Sequence, residues 1–456
     1  MRKNLTFRGG EPFWANACVG ENGMPNYYDY AKGFSEGANL LIRAALSNNG
    51  CEYPVDTFIY PICFNMRHSV ELRLKGAVII LEKIARLRQP LPPFNLQSSH
   101  DIGKIWSYIK EESTKLDERL GFYIEILDDY ISDISEIDAT GQTFRYPYDS
   151  SNIKHLVEIP TINVGILFRR FSALESFLDS LENYLHELRS EHGLGTYTKN
   201  LSRHQLLQIA NKTPQLDHWG NPEFKVLKEE IKTTYRIGSK ELSEAFEKIK
   251  ILYRSTHSGL PPPPLKFITQ EKLYIFFDSW IFLNGLDTLK KRKKIETLSL
   301  DDTNAMRDAF QSIVEKGEKE EQIWPKIKDA FSIDQLADIN ALYESGDSNY
   351  PEHYPFHVDY YQNEFQSGSY SYSGGVRESL TKLLKKTNTL NRVLRCLYLV
   401  GHRDLAEALI EKYDLEHSLN WLELARANEL FIDPCGGIIA NCIEQYGNQI
   451  VQSESA

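Results

Sequence analysis

The stretch YPVDTFIYPICFNMRHSVELRLKGAVIILEKIARLRQ (53–89) decides how this chain folds. Within it Met66, Val70, Leu74, Ala77 and Leu81 recur at spacings of four and three, which is one face of an α-helix. Leu72, Ile79 and Ile80 add a second apolar flank, so the helix is apolar over most of its circumference and belongs inside a bundle. One polar stripe runs through it. Arg67, Glu71 and Lys75 follow one another at four-residue steps, and His68 lies three before Glu71, so these side chains can meet. Charges in such a helix require partners. The first candidates are His100 and Asp101, which follow the proline-broken segment 89–99.

Outward from this helix the pattern stays helical. Residues 27–46 place Tyr30, Phe34, Ala38, Leu41 and Ala45 on one side, and SNNGCEYP then breaks the run. Ser98 or Ser99 suits the N-cap of a short helix through Trp106. Residues 115–138 form one further amphipathic pattern, with Leu120, Ile124, Leu127 and Ile131 inward. TGQTFRYPYDSSN (140–152) is rich in turn residues, and a long helix starts after Pro160 and stops at Gly193. Beyond it, two helices flank Gly238, GLPPPPLKF (259–267) reads as an extended spacer, and EKLYIFFDSWIFLNGLDTLKKRKK reads as a buried helix with a basic end. Ser332 or Asp334 caps a helix through 345; residues 347–375 read as an aromatic, polar loop; helices then flank Gly401. Strict alternation is scarce. The expectation is an all-α protein: an irregular lead-in (1–26), a helical bundle (27–195), a helical connector (196–258) and a C-terminal helical domain (259–456).

Composition narrows the class. With 456 residues, 41% hydrophobic and 25% charged, the chain reads as an ordinary soluble globular protein. The net charge of −11 argues against broad electrostatic capture of nucleic acid and leaves room for a local basic patch. Six cysteines without a CxxC read as reduced thiols of a cytoplasmic protein. The opening MRKNLTFRGGEPFW lacks an apolar core and does not read as a signal peptide, and no apolar run suits a membrane span. P-loop, GxSxG and HExxH motifs are absent, and neither cofactor nor metal is expected.

Three segments in order carry a family resemblance: HSVELRLKGAVIIL with Glu71 and Lys75, SSHDIGKIW with His100, Asp101 and Ile102, and FRYP with Arg145, Tyr146 and Pro147. Together, over roughly 27–190, they resemble the HEPN superfamily (higher eukaryotes and prokaryotes nucleotide-binding domain). The resemblance implies an up-and-down helical bundle, often a homodimer, in prokaryotic toxin–antitoxin, phage-defence or RNA-processing systems. Residues 27–190 lack the R-x(4–6)-H of the catalytic members, so the likeness is to the non-catalytic branch.

The candidate ligand-binding set is therefore Arg67, His68, Glu71, Lys75, His100, Asp101 and Arg145, with Arg and Lys for phosphate and His and Glu for proton transfer. The competing reading is a structural network in which Glu71 pairs with Arg67, Lys75 or Arg145 while Asp101 caps its own helix. An R-x(6)-H does occur at Arg395 and His402, and a metal-independent ribonuclease could use it, the Arg on phosphorane charge and the His on the 2′-hydroxyl proton. KKRKK (290–294) could touch phosphates or simply end a helix. His353 and His357, with Glu352 and Asp359, hint at a metal, but Pro351 and Pro355 argue against one continuous helix there. Tyr360, Tyr361, Tyr370 and Tyr372 could stack bases. Three functions follow as expectations: a nucleotide- or RNA-binding module, a ribonuclease, or a non-catalytic oligomerisation protein.

Overall fold

The computed structural model describes residues 4–47, 53–88, 90–214, 216–256, 264–290, 303–367, 375–431 and 433–453. The all-α expectation holds: the described residues form eighteen α-helices and short 3-10 turns, with one isolated β-bridge and no strand. No helix among them is long and apolar enough to cross a membrane. The chain divides into two compact units, residues 1–193 with 434–456, and residues 194–433.

The first unit is built around α2 (Val55–Arg88), which spans the quoted stretch without a break despite Pro61. It packs against α1 (Tyr27–Leu46), α3 (Ile102–Leu116) and α5 (Val164–Gly193); α4 (Gly121–Asp138) lies against α3 and α5. Val70, Leu74, Leu81 and Ile84 of α2 share a core with Ile105 and Trp106, Leu127 and Ile131, and Phe177, Leu181 and Leu188. Each such leucine or isoleucine contributes about 1.5–3 kcal/mol of burial. A second cluster joins Ile42 of α1, Ile62 and Met66 of α2, and Val164 and Phe171 of α5.

Several local expectations are corrected. The buried face of α1 is Ala31, Ser35, Ala38, Ile42 and Ala45, while Tyr30 is exposed. Small residues let α1 approach α2 closely enough for Ser35 and Ser69 to bond at 2.8 Å between buried hydroxyls, so close approach outweighs side-chain size there. The single helix expected over 115–138 is two, because Asp117 takes an extended backbone and a 3-10 turn (Glu118–Leu120) intervenes before α4. The N-cap of α3 is Asp101, whose carboxylate accepts from the Lys104 N–H at 3.0 Å, rather than Ser98 or Ser99.

The second unit holds two cores. One, with Leu206, Phe224, Ile231 and Phe246, gathers α6 (Arg203–Lys212), α7 (Pro222–Tyr235) and α8 (Ser239–Thr256), so the segment read as a connector carries its own hydrophobic cluster. The other gathers α9 (Gln270–Asn284), α11 (Thr303–Ile327), α12 (Ile333–Ser345), α13 (His353–Gln366), α14 (Gly375–Lys385), α15 (Thr389–Leu399), α16 (Arg403–Lys412) and α17 (Leu422–Arg426); α10 (Asp287–Lys290) is a single turn after Gly285. Gly285 and Gly401 turn the chain at φ +74° and +85°, a region that favours glycine. Segment 347–375 is not a loop throughout. Helix α13 begins at His353, which puts Pro355 in the first turn, where a missing N–H costs no helical bond. Helix α18 (Pro434–Ser453), grouped by the sequence reading with residues 259–456, belongs to the first unit, where its Cys435 and Cys442 enter the core.

Candidate functional site

The polar stripe of α2 forms a closed network. The Arg67 and Glu71 side chains are each 3% exposed and form an ion pair; the Lys75 ammonium reaches the other Glu71 oxygen at 2.9 Å. His100 Nδ1 lies 3.0 Å from that same oxygen, and His68 Nδ1 lies 3.7 Å from the first. Burial alone would raise the Glu71 pKa, but the contacts from His68, Lys75, Arg67 and His100 outweigh it and hold the carboxyl well below the usual range. Arg67 does more than neutralise. Its Nε donates to the Asp138 carbonyl at 3.1 Å, and Nη2 donates to the carbonyls of Ala139, at 2.6 Å, and His100. One guanidinium thus ties α2 to the end of α4 and to the lead-in of α3.

That tie positions the turn after α4. Asp138 Oδ1 accepts from the N–H groups of Gln142 and Thr143, at 2.8 and 3.0 Å. Gly141 has φ +78°, and a Cβ there would sit 3.0 Å from Arg67 Nη1, so both backbone and space require glycine. Phe144, Arg145 and Tyr146 follow directly. Asp149 accepts from Ser151 and Ile153, both at 2.8 Å, and the Tyr148–Lys154 bridge brings the chain back, so that the His155 N–H donates to the Pro147 carbonyl at 3.1 Å.

The seven candidate residues therefore separate. Arg67, Glu71 and Lys75 are sealed in the bundle; His100, 63% exposed, and His68, 30% exposed, are its edge. His68 is held edge-on to Phe34 at 4.5 Å and stacked on Phe64 at 5.8 Å. Asp101 caps α3. Arg145 does not join Glu71. Its guanidinium lies over Phe64 and Tyr146, at 5.6 and 5.1 Å, and donates to the Tyr146 hydroxyl at 3.2 Å.

Arg145 instead lines a concave cavity of about 770 Å3 with Tyr60, Tyr146, Lys154, His155 and Asp56 on its wall. Tyr60 and Tyr146 are each 48% exposed. Among the described residues Arg145 and Lys154 have no carboxylate within ion-pair distance, and the buried His155 Nε2 has no hydrogen-bond partner. Tyr60, Lys154 and His155 escaped the sequence reading. The signal for the last two was the Asp149–Ser–Ser–Asn152 turn, which folds residues 153–155 back onto Arg145–Tyr146–Pro147.

In the second unit Arg395 is committed to structure: its guanidinium donates to the carbonyls of Gly346 and Ser348, at 2.6 and 2.7 Å, and to Asn349 Oδ1 at 2.6 Å. His402 is the N-cap residue of α16. His353 and His357 do share a helix face, with rings 5.7 Å apart, but their Nδ1 atoms lie on Ser348 and Ser345, at 2.7 and 2.9 Å. Of KKRKK only Lys290 falls within the described residues, as Tyr360 and Tyr361 do among the tyrosines; positions 291–294, 370 and 372 lie outside them.

Another cluster lies where α1, α2 and α5 meet. Buried Arg73 pairs with Asp179, approaches Glu175 at 3.9 Å and lies under Tyr28. Glu182 beside it is pushed up to about 7 by burial, with Asp179 and Asp29 adding and Arg73 opposing. The folded chain therefore holds a proton there that the unfolded chain has released, between 4.5 and about 7. That contribution is complete below pH 4.5 and lost as pH rises through 7. Glu182→Gln should match the parent in thermal melts at pH 4.5 and exceed it at pH 8 by about 1–2 kcal/mol, allowing for partial exposure. Equal stabilities at pH 8 would refute the assignment.

No family model, curated protein or solved structure matches the chain.

Proposed function

We propose that the first unit is a binding module for a nucleotide or single-stranded RNA, seated in the cavity walled by Tyr60, Arg145, Tyr146, Lys154 and His155. The observation that carries this is a wall on which Arg145 and Lys154 stand outside ion-pair distance of any described carboxylate, with Asp56 its one acid and half-exposed aromatics beside them, on a chain of net charge −11. Arg145 and Lys154 are available to phosphate oxygens, the Arg as a planar fork and the Lys as a point charge. Tyr60 and Tyr146 offer ring faces to bases, worth about 1–3 kcal/mol per stacked base. The Arg67–Glu71–Lys75 network is the scaffold that holds the 141–147 turn against this wall; it does not touch the ligand. The resemblance to HEPN proteins of the non-catalytic branch supports the same chemistry, and adds a homodimer acting in a prokaryotic defence or toxin–antitoxin type system.

The test is fluorescence anisotropy with a labelled single-stranded RNA and with a fluorescent ATP analogue. Arg145→Ala with Lys154→Ala should weaken binding at least tenfold and reduce the salt dependence by about two phosphate contacts. Parent-like binding by a folded double variant, or no binding by the parent, would overturn the proposal.

A further inference from the structure

Next to the polar cavity, α2, α4 and α5 enclose a cleft of about 370 Å3, within the size range of small-molecule sites. Its lining is mostly hydrocarbon: Met66, Ile134, Ile137, Ile162, Ile166 and Leu174 stand for the rest. Several of these are incompletely covered, and Ile166 is 52% exposed. The cleft's charged lining is already paired. Its two cations are paired, Arg67 with Glu71, and Arg170 with Asp133 at 2.7 Å. Asn163 Oδ1 accepts from the Ile166 N–H at 2.9 Å, and Arg170 also lies over the Tyr130 ring at 4.2 Å.

We infer that this cleft is a second binding site, for an uncharged, largely hydrocarbon small molecule. Charge and shape together select this occupant. An anionic occupant would find both arginines committed, and a cation would find Asp133 engaged; either would be desolvated without compensation. An uncharged hydrocarbon strands no charge by entering and covers apolar surface that water otherwise wets, at about 25 cal/mol per Å2. This sets the cleft apart from the neighbouring cavity, with which it shares Phe144, Ile159 and Ile162 but whose Arg145 and Lys154 are unpaired. The inference stands independently of the nucleotide reading.

The test uses the full chain and the uncharged fluorophore N-phenyl-1-naphthylamine. A saturable one-to-one fluorescence rise is expected, displaced by 1-decanol and at least tenfold less effectively by decanoate at pH 8. Ile166→Trp, which adds bulk at a half-exposed position, should lower probe affinity tenfold or more. In the unmodified protein an alkyl diazirine should label peptides from 130–137 and 159–174. Labelling confined elsewhere, preference for decanoate, or displacement of the probe by ATP would overturn the inference. So would a dimer by light scattering that Ile166→Trp splits, since the cleft would then be covered by a second copy.

Discussion

Replacing Glu71 with alanine is expected to lower the free energy of unfolding by about 3–5 kcal/mol, the range for removing one partner of a buried ion pair. The cost arises from what stays behind. Arg67 and Lys75, 3% and 6% exposed, would be left in the bundle without their carboxylate. Arg67 would keep its three carbonyl acceptors, on Asp138, Ala139 and His100, so the helix connections would persist while the charge balance fails. Urea denaturation of the variant checks the magnitude. A loss below about 1 kcal/mol would show that the network is solvated. The pH profile adds a second check. Folded Glu71 keeps its charge at pH values where an unfolded glutamate, near 4.5, takes up a proton. Its contribution is therefore present above pH 4.5 and is lost as pH falls from there. Glu71→Gln should lack that segment of the acid titration.

An equally large effect is expected at Arg119→Met. Arg119 lies between two carboxylates that are each 1% exposed. It donates to Asp117 at 2.8 and 2.9 Å and to Glu191 at 2.9 and 3.3 Å. Burial alone would lower the Arg119 pKa; Asp117 and Glu191 more than reverse that and raise it. The Tyr184 hydroxyl donates to Asp117 at 3.4 Å, and its ring lies 5.9 Å from the guanidinium. Removing the cation takes the guanidinium from two buried carboxylates and should cost about 3–5 kcal/mol. Arg119→Lys should recover only part of this, because a point charge cannot reproduce the forked contact to both carboxylates. Adding Asp117→Asn and Glu191→Gln to Arg119→Met should restore much of the loss, since the two buried negative charges are then gone. If the single variant unfolds at the same urea concentration as the parent, the triad is not what joins the 117–120 turn to α5.

Sequence by itself determined the helical class, the central place of the 53–89 stretch and the meeting of Glu71 with Arg67, Lys75 and His100. An apolar period of 3.6 residues admits one secondary structure, and charges four apart on a buried face have few companions within reach. It equally offered Ser332 or Asp334 as an N-cap, and the capping box with Gln335 selects Ser332. Tertiary structure alone decided where that logic stopped. The face of α1 shifted because close helix approach favours alanine and serine over tyrosine. Helix α18 joined the first unit because an apolar face with Cys435 and Cys442 suits any core within reach of the chain. Arg145 was expected beside Glu71, but the turn built on Asp138 and Gly141 carries it to a different wall. Tyr60, Lys154 and His155 share that cavity with it, Tyr60 from 85 residues upstream and the other two through a folded-back turn, which no local spacing encodes.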